Sequence, residues 1–445
     1  MMAVSEKLLA EVEEWVSIPS VSTEPGYEYE LNRAAEWAAA YVRSAGGACR
    51  MERIGSANPL VIGRLEAHVE NAPTVFVYGH YDVQAPGPVS AWHSPPFAPE
   101  VRDGRLYGRG AADNKGNFWP IVHVACELAR QGALPVNVDL LVDGEEEIGG
   151  GAALAWLTES YRGATTAVVY DGWMVDERTP AITLALRGLV SVRLRVRSGE
   201  RSVHSGMYGG AVLNAIHALH QVLAAVLPDA DGRVRPELRE GVEPPAAAEV
   251  SEWETLPKGE ERIAEVGARP VSVDAAAEFY SRTGAEPSLD VNSILGGEPR
   301  TIVPATAEAF LSLRTTPEQD VGRLRSVLEE LLRQAAPAGV DLELESYGAP
   351  GYAIAPDHPL IRRAARALEA AAGVRPRFVR IGGSVPIVPY IAGIGIPVVV
   401  AGFKLPHDAI HAPNESFRLE SIELAAAWAR ELFAALADER DPVGP

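Results

Sequence analysis

The chain has 445 residues, 47% of them hydrophobic and 22% charged, which is enough apolar material for two or three packed domains. The 60 acidic and 40 basic residues leave a formal charge of −20, which excludes a general nucleic-acid binder and disfavours adsorption to an anionic membrane. Cys49 and Cys126, the only two cysteines, supply neither a disulfide framework nor a cysteine zinc site and read as buried small thiols.

Met1 to Val16 carries Glu6, Glu11, Glu13 and Glu14 among apolar residues. It reads as an amphipathic helix and not as a basic, then uniformly apolar, signal peptide. No apolar run approaches the roughly 20 residues of a membrane span, so the expected location is the cytoplasm. Only four basic residues are lysines (Lys7, Lys115, Lys258, Lys404), a bias that carries no functional signal. Helices are predicted over Leu31 to Ser44, Gly116 to Arg130 (with Pro120 in its first turn) and Ala152 to Thr158. Strands are predicted over Thr74 to Tyr78, Val136 to Val142 and Ala167 to Tyr170. A helix (Pro359 to Ala372), a strand (Pro397 to Ala401) and a helix (Leu419 to Ala437) close the chain. This alternation predicts an α/β fold with a doubly wound, mostly parallel sheet.

The middle of the chain follows another pattern. Leu189 to Arg197 alternates strictly, with Val190, Val192, Leu194 and Val196 on one face, as in an antiparallel sheet with one wet face. A helix (Gly210 to Leu227) and a polar Pro/Glu-rich insertion to about Glu286 follow, with Glu260 to Glu265 read as a solvated helix face. Strands are then expected at Leu289 to Leu295, Ala307 to Arg314 and Val340 to Ser346, with a helix at Val321 to Gln334. The β-α-β-β-α-β order predicts an inserted α+β, ferredoxin-like domain. The expected division is residues 1–186 and 349–445 for the catalytic domain, and 187–348 for the insertion.

Ligands of open α/β sheets bind beyond the carboxyl ends of the strands. There the sequence delivers His80-Tyr81-Asp82, then Glu145-Glu146-Glu147, then Asp171-Gly172, with Asp113 in a loop before a helix and His411 after the last strand. Each could be bland: a structural histidine, a solvated charge run, a helix cap. Converging on one sheet edge without a cation, the carboxylates would repel and raise one another's pKa. The donor set fits a divalent metal, zinc first. Five candidate ligands exceed one open tetrahedral site and suit two ions sharing a carboxylate. In His-x-Asp, Asp82 can accept the second imidazole N–H. In Glu146-Glu147 one residue can bind metal while its neighbour moves protons.

The segments GHYDVQ (79–84), WHSPPFAP (92–99), DGRLYGRGAADNKG (103–116), DGEEEIGG (143–150), YDG (170–172), VHSGMYGG (203–210), GGSVP (382–386) and HAPNES (411–416) resemble the M20 family of di-zinc metallopeptidases, and most of all its dipeptidase branch. The resemblance implies two zinc ions per subunit, with manganese or cobalt as substitutes. His80 and Asp171 would bind one, Glu147 and His411 the other, and Asp113 would bridge them. Asp82 would buttress His80, and Glu146 would be the general base, leaving Glu145 to a solvated face. The insertion resembles a lid that carries a homodimer contact. His204 would steady the oxyanion, and Thr301 would be a second residue lent across the dimer. Arg314, with the Gly383-Ser384 turn, would hold a substrate carboxylate.

Two departures stand out. Asn114 replaces a second Asp common in dipeptidase relatives, and Tyr347-Gly348 stand where some relatives have a histidine. The implied activity is hydrolysis of dipeptides or short peptides. An N-acyl (acetyl or succinyl) amino-acid amidohydrolase on the same scaffold is the alternative. A non-catalytic metal- or peptide-binding relative would have no need of Glu146.

Overall fold

Four consecutive parallel strands set the geometry of the site. In a computed structural model that describes residues 4–437, Asn137–Asp143, Thr74–His80, Thr166–Tyr170 and Val398–Ala401 lie side by side in that order. All three pairings between them are parallel, so their carboxyl ends share one edge. Antiparallel strands flank them: Leu60–Leu65 and Ala48–Glu52 on one side, Ala181–Leu186 on the other. The sheet is thus mostly parallel at its centre, as expected for a doubly wound α/β fold.

Strand alternation divides the core between two faces. Val75, Val77, Val168 and Val399 join the cluster formed with the helices Glu28–Ser44, Lys115–Arg130, Pro359–Ala372 and Leu419–Ala437. Phe76 points the other way and packs on Tyr161, their rings 4.6 Å apart. These strands, buried on both faces, read as continuous Val-rich runs.

By its internal contacts this unit comprises the chain up to Leu184, Ile354–Val379 and the chain from Val385 onward; Ala185–Ala353 with Arg380–Ser384 form a second unit. The second unit has a four-stranded antiparallel sheet, in the order Ser288–Gly296, Thr306–Thr315, Gly188–Arg197, Asp341–Ala349. Its core joins Val190, Val192, Leu194 and Val196 to the helices Ala215–Ala224 and Val321–Gln334. The connectivity is the ferredoxin-like β-α-β-β-α-β.

Several local expectations need correction. The first helix is Glu6–Val16, started by Ser5, whose hydroxyl accepts from the Leu8 N–H; Met1 to Ala3 lie outside the described residues. The helix around Pro120 begins at Lys115, which puts Pro120 in its second turn, with no N–H to offer the Gly116 carbonyl. The helix expected over Gly210 to Leu227 covers only Ala215–Ala224, because the Asn214 side chain caps the N–H groups of Ile216 and His217. The Pro/Glu-rich insertion folds into short helices, among them Ala247–Trp253 and Gly259–Glu265. Cys126 is buried, but Cys49, on the edge strand, is only half-buried; both thiols are free. Among the described residues no helix is long and apolar enough to cross a membrane.

Candidate metal centre

Each strand end delivers a polar side chain to the shared edge. His80 is the last residue of its strand and its side chain is 1% exposed. Its Nδ1 meets the main-chain oxygen of Asp82 at 3.0 Å, with the Asp82 carboxylate further off at 3.4 Å. The imidazole N–H therefore has the carbonyl as its nearer acceptor. The Asp82 carboxylate instead accepts the N–H groups of Glu146 and Glu147 at 3.2 and 3.1 Å and the Ser22 hydroxyl at 2.6 Å. It thereby fixes the single 3-10 turn Glu146–Ile148 that follows the strand Asn137–Asp143.

Asp113 lies at the N-terminal approach to the helix Lys115–Arg130, in a loop clamped by Glu415. One Glu415 oxygen accepts the N–H groups of Ala112 and Asp113 at 2.9 and 3.0 Å; the other accepts Gly110 N–H at 3.2 Å and Arg109 Nη1 at 2.5 Å. The Asp113–Asn114 peptide is cis. The Asn114 side chain is buried without a hydrogen-bond partner. Asp171 follows the strand Thr166–Tyr170 directly.

These placements make two groups that share Asp113. His80, Asp113 and Asp171 form one, and Asp113, Glu147 and His411 the other, with the ligand atoms in each within 4.8 Å of one another. His80 Nε2 stands 3.5 Å from Asp113 Oδ1. His411 Nε2 stands 3.2 Å from both Asp113 Oδ2 and Glu147 Oε2. The Gln84 amide donates to Glu147 Oε2 at 2.9 Å. His80 Nε2 and Glu147 Oε1 are buried with no hydrogen-bond partner. Buried polar atoms are normally paired, so two orphans within one nitrogen-and-oxygen cluster are what a cation-binding site presents. The residues present therefore fit a divalent metal.

The electrostatics agree. Burial, reinforced by Asp171, Glu147 and Asp113, pushes the Glu146 carboxyl well above its usual range. Hydrogen bonds to Asp113 and Glu147 push His411 up to about 10. Burial pulls His80 down, but the neighbouring Asp113, Asp82 and Glu146 carboxylates outweigh that and raise it. Without a metal, protons on the imidazoles balance the carboxylates.

The remaining predicted residues belong to the second unit. His204 and Thr301 are both exposed and adjacent: Val203–His204 pairs with Ile302–Val303, and the Thr301 carbonyl accepts Ser205 N–H at 3.0 Å. Arg314 Nη1 donates to Ser384 Oγ at 3.0 Å, and Ser384 Oγ donates to the Arg187 carbonyl at 2.7 Å. Gly383 is exposed beside them. At Gly382 a Cβ would sit 2.5 Å from the Thr283 carbonyl, so the turn needs glycine there.

Glu145 is half-buried and its carboxylate accepts the Asn58 N–H at 2.9 Å, which corrects the solvated reading. Four contributors escaped the sequence reading: Gln84, Glu415, Ser22 and Lys404. Gln84 and Glu415 sit inside quoted motifs. Ser22 gave no signal. Lys404 carries one, as the lysine of four that follows a buried strand. Its side chain is buried, with Nζ 2.5 Å from Asp171 Oδ1 and 3.5 Å from Asp113 Oδ1.

Comparison with known proteins follows the same lines. A family model described as peptidase family M20/M25/M40 matches residues 76–435. A cysteinylglycine-S-conjugate dipeptidase of Corynebacterium striatum is 29% identical over 86% of this chain and 84% of its own. Human beta-Ala-His dipeptidase is 25% identical over 96% and 90%. Among solved structures, an M20 family metallo-carboxypeptidase from Sulfolobus solfataricus superposes with a TM-score of 0.89 at 23% identity, over 97% of this chain and 100% of that one.

Proposed function

We propose, from the premise that this chain belongs to peptidase family M20/M25/M40, that it is a metal-dependent hydrolase of the peptide bond in dipeptides or other short peptides. A single observation carries the proposal: the buried Asp113 carboxylate faces two donor groups, His80 with Asp171 and Glu147 with His411. The names of the bacterial and human relatives, both dipeptidases, support the substrate class. Zinc suits this donor set best, with manganese or cobalt as substitutes, and each chain offers two positions.

When bound, a divalent ion polarises the scissile carbonyl and lowers the pKa of a water towards neutrality. The residues do the rest. Glu146 takes a proton from the attacking water and delivers it to the leaving amine nitrogen, work suited to a carboxyl that burial raises above its usual range. Asp82 positions Glu146 through its main-chain N–H. Arg314, with Ser384 and Gly383, takes the substrate's terminal carboxylate in the fork of its guanidinium. His204 steadies the oxyanion, with His204 and Thr301 supplied by a second copy of the chain. A homodimer is supported by the edge strand Ser288–Gly296, where Ile294 and Leu295 are 57% and 63% exposed. The two free thiols support a reducing, cytoplasmic location.

The test is a turnover panel of dipeptides against N-acetyl and N-succinyl amino acids, run with Glu146→Gln. Dipeptide turnover is expected, and the variant should keep its metal while losing about 10²-fold or more in kcat. Turnover of the acyl compounds alone would move the assignment to an amidohydrolase. Undiminished turnover by Glu146→Gln would remove the assigned base.

A further inference from the structure

The two donor groups around Asp113 differ in one respect that their ligands do not reveal. Lys404 follows the last of the four parallel strands, Val398–Ala401, and brings a buried ammonium to one of them. Its Nζ lies against Asp171 and near Asp113, the two carboxylates that with His80 make up one group. The lysine is not free to leave. Its carbonyl accepts Met174 N–H at 2.9 Å, the N–H of neighbouring Phe403 donates to the buried Asn117 side chain at 3.0 Å, and Nζ lies 5.3 Å from the centre of the Trp173 ring. In the other group, among the described residues, the Glu147 carboxylate meets the imidazole of His411 and the neutral amide of Gln84, and no ammonium. A metal displaces a proton from an imidazole, but a lysine ammonium held between two carboxylates competes with the metal for the same oxygens.

We propose that Lys404 makes the two metal positions unequal. Its ammonium supplies, at His80, Asp113 and Asp171, the positive charge a second ion would bring. The chain then holds one tight divalent ion at Asp113, Glu147 and His411, and Asp171 serves first as the partner of Lys404. This rests on the metallohydrolase assignment above, and the experiment separates the two.

Full-length protein is stripped with a chelator, dialysed against Zn²⁺ and analysed for bound metal per chain by mass spectrometry, with calorimetric titration for affinity. One equivalent should be retained, with a second bound about 100-fold or more weakly. Lys404→Met should retain two equivalents, and Lys404→Arg one. Asp171→Asn, which keeps the size of the side chain, should leave the tight ion in place. Two equivalents of matching affinity in the unaltered protein, or loss of the tight ion in Asp171→Asn, would overturn the role of Lys404. A tight ion that survives His411→Ala would likewise overturn the proposal, because it would lie at His80, Asp113 and Asp171; no tight ion at all in the unaltered protein would instead overturn the metallohydrolase assignment.

Discussion

Asp143 ends the strand that leads to Glu146 and Glu147, and nothing of it reaches solvent. Burial, with Asp82 nearby, pushes its carboxyl up to about 7, against hydrogen bonds from Glu145 N–H and the Tyr78 hydroxyl. A carboxyl raised in the fold binds its proton more tightly folded than unfolded. Its contribution is therefore most favourable below the unfolded value of 3.8 and is lost as pH climbs through about 7. Asp143→Asn should gain stability relative to the parent between pH 5 and pH 8, read as the difference in denaturant midpoints. An equal offset at both pH values would contradict the titration. At this scale the sequence was informative where a residue stands at a strand end or just before a helix: His80, Asp113, Glu147, Asp171 and His411 meet in space. It was silent where the chemistry depends on which way a side chain turns. Asp82 reads as a partner for the imidazole, yet its carboxylate faces two main-chain N–H groups. Lys404 follows a run that reads as a buried strand, but nothing in the sequence turns its side chain towards Asp171.

The loop that carries Asp113 has no regular structure of its own, and one buried carboxylate organises it. Glu415 accepts from three main-chain N–H groups and from Arg109, all buried. Glu415→Ala would leave the Arg109 guanidinium buried without its charge partner, a loss of about 3–5 kcal/mol. Thermal unfolding should show that drop, and metal affinity should fall about tenfold or more as Asp113 loosens. A variant that keeps parental metal affinity would show that the clamp does not position Asp113. Elements with a clean period were readable, such as the alternating Gly188–Arg197 and the amphipathic Val321–Gln334. Leu60–Leu65 and Ala181–Leu186 are not legible in the sequence, because a short, mostly apolar run with a single polar side chain (Arg64, Thr183) has no period that separates strand from helix.

At the scale of the whole molecule, the charge of −20 and the exposed edge of the second unit pull in opposite directions. Two copies meeting along Ser288–Gly296 would bury Ile294 and Leu295 and pair an open strand edge. They would also bring two strongly acidic chains together. Light scattering at micromolar concentration should give a dimer mass, with association strengthened by salt as repulsion is screened. Leu295→Asp should shift the population to monomer while leaving the circular dichroism unchanged. A monomeric parent protein would remove the dimer, and with it any residue lent between copies.

Cys126 lies inside the helix Lys115–Arg130, the helix that Asp113 precedes. It has no exposure, and burial raises its thiol to about 12. Such a thiol is both hidden from reagents and protonated at any physiological pH, so it reacts only when the helix lifts from its neighbours. The molecule thus contains its own clock. The rate at which Cys126 is alkylated should measure how often the catalytic scaffold opens, and an ion held by Asp113 should slow it.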